Sequence, residues 1–338
     1  MIVDSCVEYG SQYPIALQYL KQIGFDVAEA VKCFVVTHWH DDHIRGAAHI
    51  IKECPKAHFV CSSALRTKEF LQLTNLFSEP RLTLNTGIEE FGKILEELKR
   101  RFPGVRDASI GPTKWASADR LLLSLPKNGR SVRAEIYALS PSDTAITLAF
   151  KEISQLLPKP GMPKRRVVAQ APNHVSVALW VIIENLHILL GSDLEHLPDE
   201  RLGWKSVLLS STKPSGRALV IKIPHHGSSN AYCREVWTEM GASRPIGLLS
   251  PFASGKRPLP SNRDLDLIRT HTPHIYITGN PNRGHPLQLD AAVSKTIREM
   301  VRFRRVIQGS MGHVRVRYLL GRENTEPVID LFNGAMHL

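Results

Sequence analysis

The chain has 338 residues, of which 43% are hydrophobic and 22% charged, and this composition excludes a disordered, collagen-like or coiled-coil protein. It carries 43 basic and 32 acidic residues, a net charge of +11 that favours polyanionic partners. The five cysteines form no CxxC pair, and the N-terminus lacks the pattern of a signal peptide. We therefore expect a reduced, cytoplasmic protein without a membrane-spanning segment.

The first 60 residues alternate between helix and strand signals. Apolar spacing predicts a helix over 15–23, which Gly24 ends, and a second helix over 44–53. Short apolar runs predict buried strands over Cys33–Thr37 and Ala57–Cys61. This alternation is typical of layered α/β folds.

Residues 64–165 are less regular, and strand signals return after residue 167. An amphipathic pattern over Ile88–Arg101 predicts a helix in this region. The remaining predicted elements are strands over 131–139, 175–183, 186–190, 218–223, 246–250, 275–278 and 314–318, and helices over 143–157, 261–269 and 287–303.

The most informative segment follows the predicted strand at Cys33–Thr37 and reads His-Trp-His-Asp-Asp-His. Its polar side chains are His38, His40, Asp42 and His43. Imidazole nitrogens and carboxylate oxygens are preferred ligands of zinc and similar metals. The loop after the carboxyl end of a strand is also where α/β sheets place their sites. We interpret this segment as a metal-binding loop.

Three further predicted strands are flanked by histidine or aspartate. Asp193 ends the strand 186–190 in a Gly-Ser-Asp sequence, and His225 and His226 follow the strand 218–223. Asn173 and His174 precede the strand 175–183. Each of these signals is weak alone, but together with the metal-binding loop they indicate a centre with two metal ions.

In this order, HxHxDH, Gly-Ser-Asp and His-His-Gly-Ser resemble the motifs of the metallo-β-lactamase superfamily. The Pro-His-His-Gly-Ser form is most similar to the hydrolase domain of ComEC-type DNA-uptake proteins, and Ile2-Val3-Asp4 resembles the first strand of the family. The resemblance implies an α/β fold, the four-layered αββα sandwich, in a single domain over 1–338. It further implies that 64–165 includes an insertion, and residues 280–338 would add a C-terminal helix and strands.

The resemblance also implies the ligands. His38 and His40 would bind one ion, Asp42 and His43 the other, and Asp193 would bridge the two. His226 would complete the second site. The remaining ligand of the family precedes the strand 175–183, where ComEC-type members tend to have asparagine and serine. Here either His174 or Asn173 would complete the site.

Two divalent ions, zinc first and manganese or iron as alternatives, would lower the pKa of a shared water so that it attacks as hydroxide. Asp42 or Asp193 would orient this hydroxide. His225 would donate a proton to the leaving group, bind phosphate or serve only as a packing residue. Ser228 and Asn173 are candidate substrate-binding residues. Ser228 lies in the turn at Gly227, whose backbone N–H groups could bind a phosphate.

The leading functional hypothesis is a metal-dependent phosphodiesterase, specifically a nuclease, and stand-alone relatives suggest a role in bacterial defence. One alternative is a hydrolase of small esters, lactones or thioesters. Another is a non-catalytic subunit that binds a partner or nucleic acid. Members of the family have a β-hairpin before the strand that ends at the aspartate equivalent to Asp4. If that hairpin is missing here, the edge of the sheet at this strand is open, and we expect another protein or a second copy of this chain to bind there.

Overall fold

The computed structural model describes residues 1–8, 11, 13–77, 86–102, 113–129, 132–157, 172–252, 258–280, 296, 300, 312–320 and 326–338. The chain is a mixed α/β protein with parallel and mixed sheets. It divides into two compact units, the first formed by 1–225 with 230–242 and the second by 226–229 with 243–338. The single-domain assignment stays a prediction.

The first unit begins with parallel strands and helices in alternation. Its described elements are β1 (Ile2–Val3), α1 (Ile15–Gln22), α2 (Val27–Ala30), β2 (Cys33–Val36), α3 (Asp41–Ile44), α4 (Ala47–Glu53), β3 (His58–Ser62), α5 (Lys68–Phe77), α6 (Thr86–Arg101), β4 (Lys114–Ala116), β5 (Arg120–Leu125), β6 (Ala134–Ala138), α7 (Asp143–Leu156), β7 (Leu179–Ile183), β8 (Leu186–Leu190), α8 (Gly203–Leu209) and β9 (Ala218–Lys222).

The first sheet of this unit has the order β1-β2-β3-β4, and all its pairs are parallel. Side chains on successive residues of a strand point to opposite faces. Phe34 and Val36 of β2 therefore pack in the core on the helical side of the sheet. Cys33 and Val35 belong to a second core with residues of β6 and β7. Both faces are buried, which explains why β2 is a continuous apolar run.

The second sheet of this unit runs in the order β9-β8-β7-β6-β5. The pairs from β5 to β8 are antiparallel, whereas β8 and β9 are parallel. Ile136, Leu179 and Val181 from this sheet share the core with Val35 and Val60 of the first sheet. The first unit thus consists of helices, one sheet and a second sheet, packed in that order.

The helical layer is held by an aromatic cluster. The Phe91 ring of α6 lies 5.0 Å from Phe70 in an edge-on arrangement and 6.1 Å from Phe59, measured between ring centroids. Phe70 in turn stacks on Trp39, with centroids 5.0 Å apart. Edge-to-face and offset stacked pairs of this kind are the favourable aromatic geometries. The cluster therefore ties helices from the middle region of the chain to the loop after β2.

The second unit is described more sparsely. Its elements are β10 (Gly241–Leu249), of which the first two residues belong to the first unit, α9 (Asn262–Arg269), β11 (Ile275–Ile277), β12 (His313–Arg317), β13 (Val328–Phe332) and β14 (Met336–His337). β11 pairs in parallel with β10 and antiparallel with β14, and β12 and β13 form a separate two-stranded ribbon. Ser261 and Asp264 form a capping box at the start of α9.

Most predicted elements are present, with shifted ends. The helix predicted over 44–53 is two helices, because Gly46 adopts a left-handed conformation (φ 83°) between α3 and α4. The middle region also contains α5, β4 and β5, which the sequence analysis did not identify. The predicted helix over 287–303 lies almost entirely outside the described residues. Within the described part of the chain, no helix has the length and apolar composition needed to cross a bilayer.

Phe91→Ala should lower the free energy of unfolding by about 3–5 kcal/mol, because it leaves a cavity among fully buried rings. The measurement is guanidinium denaturation of the whole chain. Phe150→Ala, on the exposed side of α7, is the matched control and should change the value by less than about 0.5 kcal/mol. Equal effects of the two substitutions would contradict the proposed core.

Candidate metal centre

The predicted metal-binding loop leaves the sheet at the end of β2. Thr37 and His38 are almost fully buried there, and the second half of the segment, from Asp41 onward, forms the start of α3. Carboxylates in the first turn of a helix are favoured by the helix dipole. The main-chain N–H of Val177 donates to the carbonyl of Thr37 (3.1 Å), which joins this end of β2 to the segment before β7. The start of the loop is thus attached both to β2 and to the segment before β7.

Asp4 organises the loop from the end of β1. Its Oδ1 accepts a hydrogen bond from the main-chain N–H of Thr37 (2.8 Å), and its Oδ2 accepts from Thr37 Oγ1 (2.9 Å) and His43 Nδ1 (2.7 Å). Asp4 itself has a positive φ of 58°. Non-glycine residues in this region are uncommon and concentrate at functional sites. One carboxylate therefore fixes both ends of the metal-binding loop.

These hydrogen bonds also assign the imidazole nitrogens. The Thr37 hydroxyl donates its proton to Asp4, so its oxygen accepts from Nδ1 of His38 at 3.0 Å. His43 donates from Nδ1 to Asp4. In both rings the hydrogen bond at Nδ1 directs Nε2 toward the centre, which is how metal-binding histidines are usually held.

His38, His40 and Asp193 form a group whose ligand atoms all lie within 4.8 Å of one another. His38 Nε2 is 3.0 Å from His40 Nδ1 and 3.9 Å from Asp193 Oδ2. Two ligands of one tetrahedral zinc ion, with Zn–N bonds of about 2.0–2.1 Å, are separated by about 3.3 Å. The observed spacings lie on either side of that value, so this group can hold a metal ion.

Asp193 faces a second imidazole with its other oxygen. Oδ1 lies 3.3 Å from His43 Nε2, and Asp42 Oδ2 lies 3.7 Å from the same nitrogen. The Asp193 side chain is only 6% exposed. A buried carboxylate with a histidine nitrogen near each oxygen has the arrangement that a bridging ligand needs. Asp42, by contrast, is partly open to solvent.

The position of Asp193 follows from the end of β8. Gly191 donates its N–H to the carbonyl of Lys222 on β9 (3.0 Å), and a Cβ at Gly191 would lie 2.6 Å from Cγ of Pro224. Only glycine allows this approach. Ser192 then has a positive φ of 47°, and its carbonyl accepts the N–H of His225 at 2.8 Å. The ends of β8 and β9 are thus joined at the centre.

Burial and neighbouring charges give the histidines different pKa values. Burial lowers the pKa of His38 well below its usual value and also lowers the pKa of His40. Both shifts favour the neutral imidazole, which is the form that binds metals. Burial acts in the same direction on His43, but the carboxylates of Asp4 and Asp193 outweigh it and raise the pKa of His43 well above its usual value.

His225 lies between two carboxylates. Its Nε2 is 4.0 Å from Asp193 Oδ2, and its Nδ1 is 3.4 Å from Glu195 Oε1. Burial lowers the pKa of His225, but Glu195 and Asp193 outweigh this effect and leave the pKa above its usual value. Burial raises the pKa of Glu195, but its ion pair with His225 and the hydrogen bond from Asn173 outweigh that effect and lower the pKa.

Asn173 and His174 point to different partners. Nδ2 of Asn173 donates to Glu195 Oε1 at 3.1 Å, so this side chain faces the neighbourhood of His225. Nε2 of His174 is 3.5 Å from Glu152 Oε2 on α7. The structure therefore does not bring His174 into the group of His38, His40 and Asp193. Its role as a ligand stays a prediction without geometric support.

His226 and Ser228 belong to the second unit. His226 is buried, donates from Nδ1 to the carbonyl of Ser250 (3.0 Å), and has its ring 5.0 Å from that of Phe252. Its φ of 54° is positive, as is that of the preceding His225 (43°). Ser228 is half-buried. The assignments of His226 as a ligand and of Ser228 as a substrate-binding residue stay predictions.

A helix from the middle region supports the metal-binding loop. A Cβ at Gly87 of α6 would lie 2.0 Å from the carbonyl oxygen of Trp39 and 3.3 Å from Oδ1 of Asp41. The helix can approach the loop this closely only because residue 87 is glycine. Glu90, one turn further along α6, accepts the main-chain N–H of Ala48 near the start of α4 at 2.9 Å.

Neither the scan against models of protein families nor the search of curated proteins finds a match to this chain. The centre is therefore interpreted from its own geometry. Sequence reasoning did not assign roles to Asp4, Gly87, Glu195 or Asn230. Asp4 had a signal, since it follows the first strand, whereas Glu195 resembles any acidic residue in a surface loop.

Asp4→Asn should weaken the binding of zinc by about 10–100-fold, because residues that orient metal ligands have effects of this size. The substitution removes the negative charge opposite His43 while the side-chain shape remains. Competition with a chromophoric chelator measures the affinity, and circular dichroism checks the fold. Asp41→Asn, an exposed carboxylate in the same segment, is the control. Unchanged affinity in a folded Asp4→Asn protein would contradict the role of Asp4.

Proposed function

We propose that the chain is a metal-dependent hydrolase of the metallo-β-lactamase superfamily and that it cleaves phosphodiester bonds in nucleic acid. The observation that carries the proposal is the carboxylate of Asp193, which has one oxygen near His38 and the other near His43. Such a carboxylate suits a centre with two metal ions. The motif order HxHxDH, Gly-Ser-Asp and His-His-Gly-Ser supports the same assignment.

The four-layered αββα sandwich is part of this proposal. It is supported by the order of layers in the first unit, where helices cover one face of the β1–β4 sheet and the β5–β9 sheet packs on the other. The loops that follow β1, β2 and β8 contribute Asp4, the metal-binding loop and Asp193 to one centre. In layered α/β proteins, sites form where such strand ends meet.

Two divalent ions, zinc by preference and manganese or iron as alternatives, would supply a Lewis acid and a nucleophilic water at neutral pH. His38, His40 and Asp193 would hold the first ion. Asp42, His43 and Asp193 would contribute to the second, and the assignment of His226 to that ion is inferred from the sequence motif alone. Asp4 and Thr37 orient the imidazoles, which lowers the cost of assembling the centre.

The remaining steps fall to His225 and Asp42. His225 would donate the proton that the leaving oxygen needs when the phosphodiester bond breaks, since its Nε2 faces the centre, 4.0 Å from Asp193 Oδ2. Asp42, the more exposed carboxylate of the centre, would orient the attacking water and accept its proton. Asn173 lies on the His225 side of the centre through its hydrogen bond to Glu195.

The choice of nucleic acid as substrate depends on two observations. The net charge of +11 favours a polyanion, and the Pro-His-His-Gly-Ser form is the one found in ComEC-type domains. A role in bacterial defence, and a partner or second copy along the edge strand β1, are extensions of this proposal. Hydrolysis of small esters, lactones or thioesters and binding without turnover are the competing functions.

The purified chain, loaded with zinc or manganese, should cleave labelled single- or double-stranded DNA or RNA, and Asp193→Ala should abolish the cleavage. Loss of a buried carboxylate that both ions share should also reduce the metal content measured by mass spectrometry. Asp199→Ala, a partly exposed acid six residues away that pairs with Arg201, is the matched control and should behave like the wild type.

A metal-loaded wild type that cleaves no nucleic acid would contradict the nuclease assignment. Turnover of a small ester, lactone or thioester by the same sample would favour the first alternative. A metal-free protein that forms a stable complex on size-exclusion chromatography would favour the non-catalytic subunit. These three results are distinguishable in one set of samples.

A further inference from the structure

The ribbon of β12 and β13 in the second unit has no part in the proposed reaction. Its five residue pairs run from His313 opposite Phe332 to Arg317 opposite Val328. Because successive side chains of a strand point to opposite faces, residues 313, 315 and 317 share one face with residues 328, 330 and 332. We call this the arginine face, and its members are His313, Arg315, Arg317, Val328, Asp330 and Phe332. The opposite face is apolar and consists of Val314, Val316, Ile329 and Leu331.

The base of the ribbon is fixed to the sheet of the same unit. A Cβ at Gly312 would lie 2.0 Å from the carbonyl oxygen of Thr278, which follows β11, and 2.4 Å from the main-chain nitrogen of Ala335. Only glycine allows this close approach. The N–H of Ala335 donates to the carbonyl of Phe332 (3.1 Å), which closes the turn from β13 to β14. The arginine face therefore has a firm support within its unit.

The arginine face carries three flat groups in contact with one another. The rings of Phe332 and His313 are stacked, with centroids 5.1 Å apart, and the guanidinium carbon of Arg315 lies 5.0 Å from the centroid of Phe332. Burial and the charge of Arg315 lower the pKa of His313, so this ring is neutral at pH 7. Phe332 nevertheless remains 37% exposed. Aromatic rings and guanidinium planes are the groups on which unpaired bases stack.

The two arginines share one carboxylate. Oδ2 of Asp330 lies 2.9 Å from Nε of Arg315 and 3.1 Å from Nη2 of Arg317. The hydrogen bond from Arg315 and the charges of both arginines lower the pKa of Asp330, which is therefore ionised. Asp330 is the only acidic residue of β12 and β13, so the arginine face keeps a net positive charge. The Arg317 side chain is 56% exposed and can reach a phosphate in solution.

The sequence that contains the ribbon is also basic. Residues 243–338 hold 14 of the 43 basic residues of the chain but only 7 of its 32 acidic residues, and 12 of the 14 are arginines. This part of the chain thus carries most of the net charge of +11. Arginine binds phosphate through two N–H groups at once and also stacks on flat rings, whereas lysine acts as a point charge. Arginines beside an exposed aromatic ring fit a polyanion that has flat groups of its own.

We propose that the arginine face binds single-stranded nucleic acid, with Arg315 and Arg317 at phosphates and Phe332 at an unpaired base. The inference rests on the proposed function for the identity of the strand as substrate, and it assigns a contact with that substrate to residues outside the metal centre. A single strand fits better than a duplex, because paired bases are stacked on one another and do not offer their rings to Phe332. The arginine face retains the strand and takes no part in the bond cleavage.

The first test measures binding of fluorescein-labelled oligo(dT) by fluorescence anisotropy, with the full chain kept free of divalent ions so that the strand is not cut. The dissociation constant is measured from about 50 to 200 mM salt, because each phosphate contact of a single strand adds about 0.7 to the slope of log K against log salt. Arg317→Ala should lower the slope by about 0.7 and weaken binding. Arg269→Ala, an exposed arginine of the same unit that also pairs with one acid, is the matched control and should keep the slope.

The second test separates the aromatic contact from the ionic ones. Phe332→Ala should raise the dissociation constant by about 5–150-fold, the effect of losing one contact between a base and an aromatic ring. It should leave the salt slope unchanged, because this contact is not ionic. Phe332→Tyr keeps the ring and should bind like the wild type. Circular dichroism checks the fold, and the exposed Arg317 gives a separate test if Phe332→Ala disturbs the ribbon.

No binding by the wild type, or a salt slope that Arg317→Ala leaves unchanged, would overturn the inference. An equal loss of slope in Arg269→Ala would show an effect of net charge alone and would also overturn it, as would an oligo(dA)·oligo(dT) duplex bound as tightly as the single strand. A metal-loaded wild type that binds the strand through Arg317 but does not cleave it would contradict the proposed function instead and leave the inference standing.

Discussion

Asp193 places a nearly buried negative charge among three imidazoles, and the rest of the centre depends on how that charge is balanced. A buried carboxylate is costly unless it is paired or coordinates a metal. Burial favours the neutral form of His38, whereas at His43 and His225 the neighbouring carboxylates outweigh burial and raise the pKa. His38, His40 and Asp193 lie close enough together to hold a metal ion, and such an ion would offset the cost of the buried charge.

The scaffold holds that arrangement with rigid contacts. Asp4 joins the metal-binding loop to β1, and α6 packs Gly87 against the backbone of Trp39. Asp4, Ser192 and His225 all adopt positive φ values, which cost of order 1–3 kcal/mol each in non-glycine residues. Such conformations persist only where the surrounding structure enforces them. Their concentration here indicates that the fold maintains strained backbone to present these particular side chains.

The metal-binding loop was predictable because local signals agreed. An apolar run predicts β2, and histidines and aspartates, the residue types that bind zinc, follow it closely. β5 was missed because a bulge between Leu121 and Leu123 breaks the two-residue alternation. α5 had a usable signal, since the Thr67 hydroxyl accepts the N–H of Phe70 at its start. The opposite directions of Asn173 and His174, and the contact of Glu195 with His225, depend on tertiary packing and have no local signature.

The most direct test of the two-metal centre is anomalous diffraction at the zinc edge from crystals of the full chain grown with zinc. The account predicts two peaks about 3.5–4 Å apart, with Asp193 between them, the first bound by His38 and His40 and the second by Asp42 and His43. A single peak, or zinc bound elsewhere while these side chains remain free of metal, would contradict it.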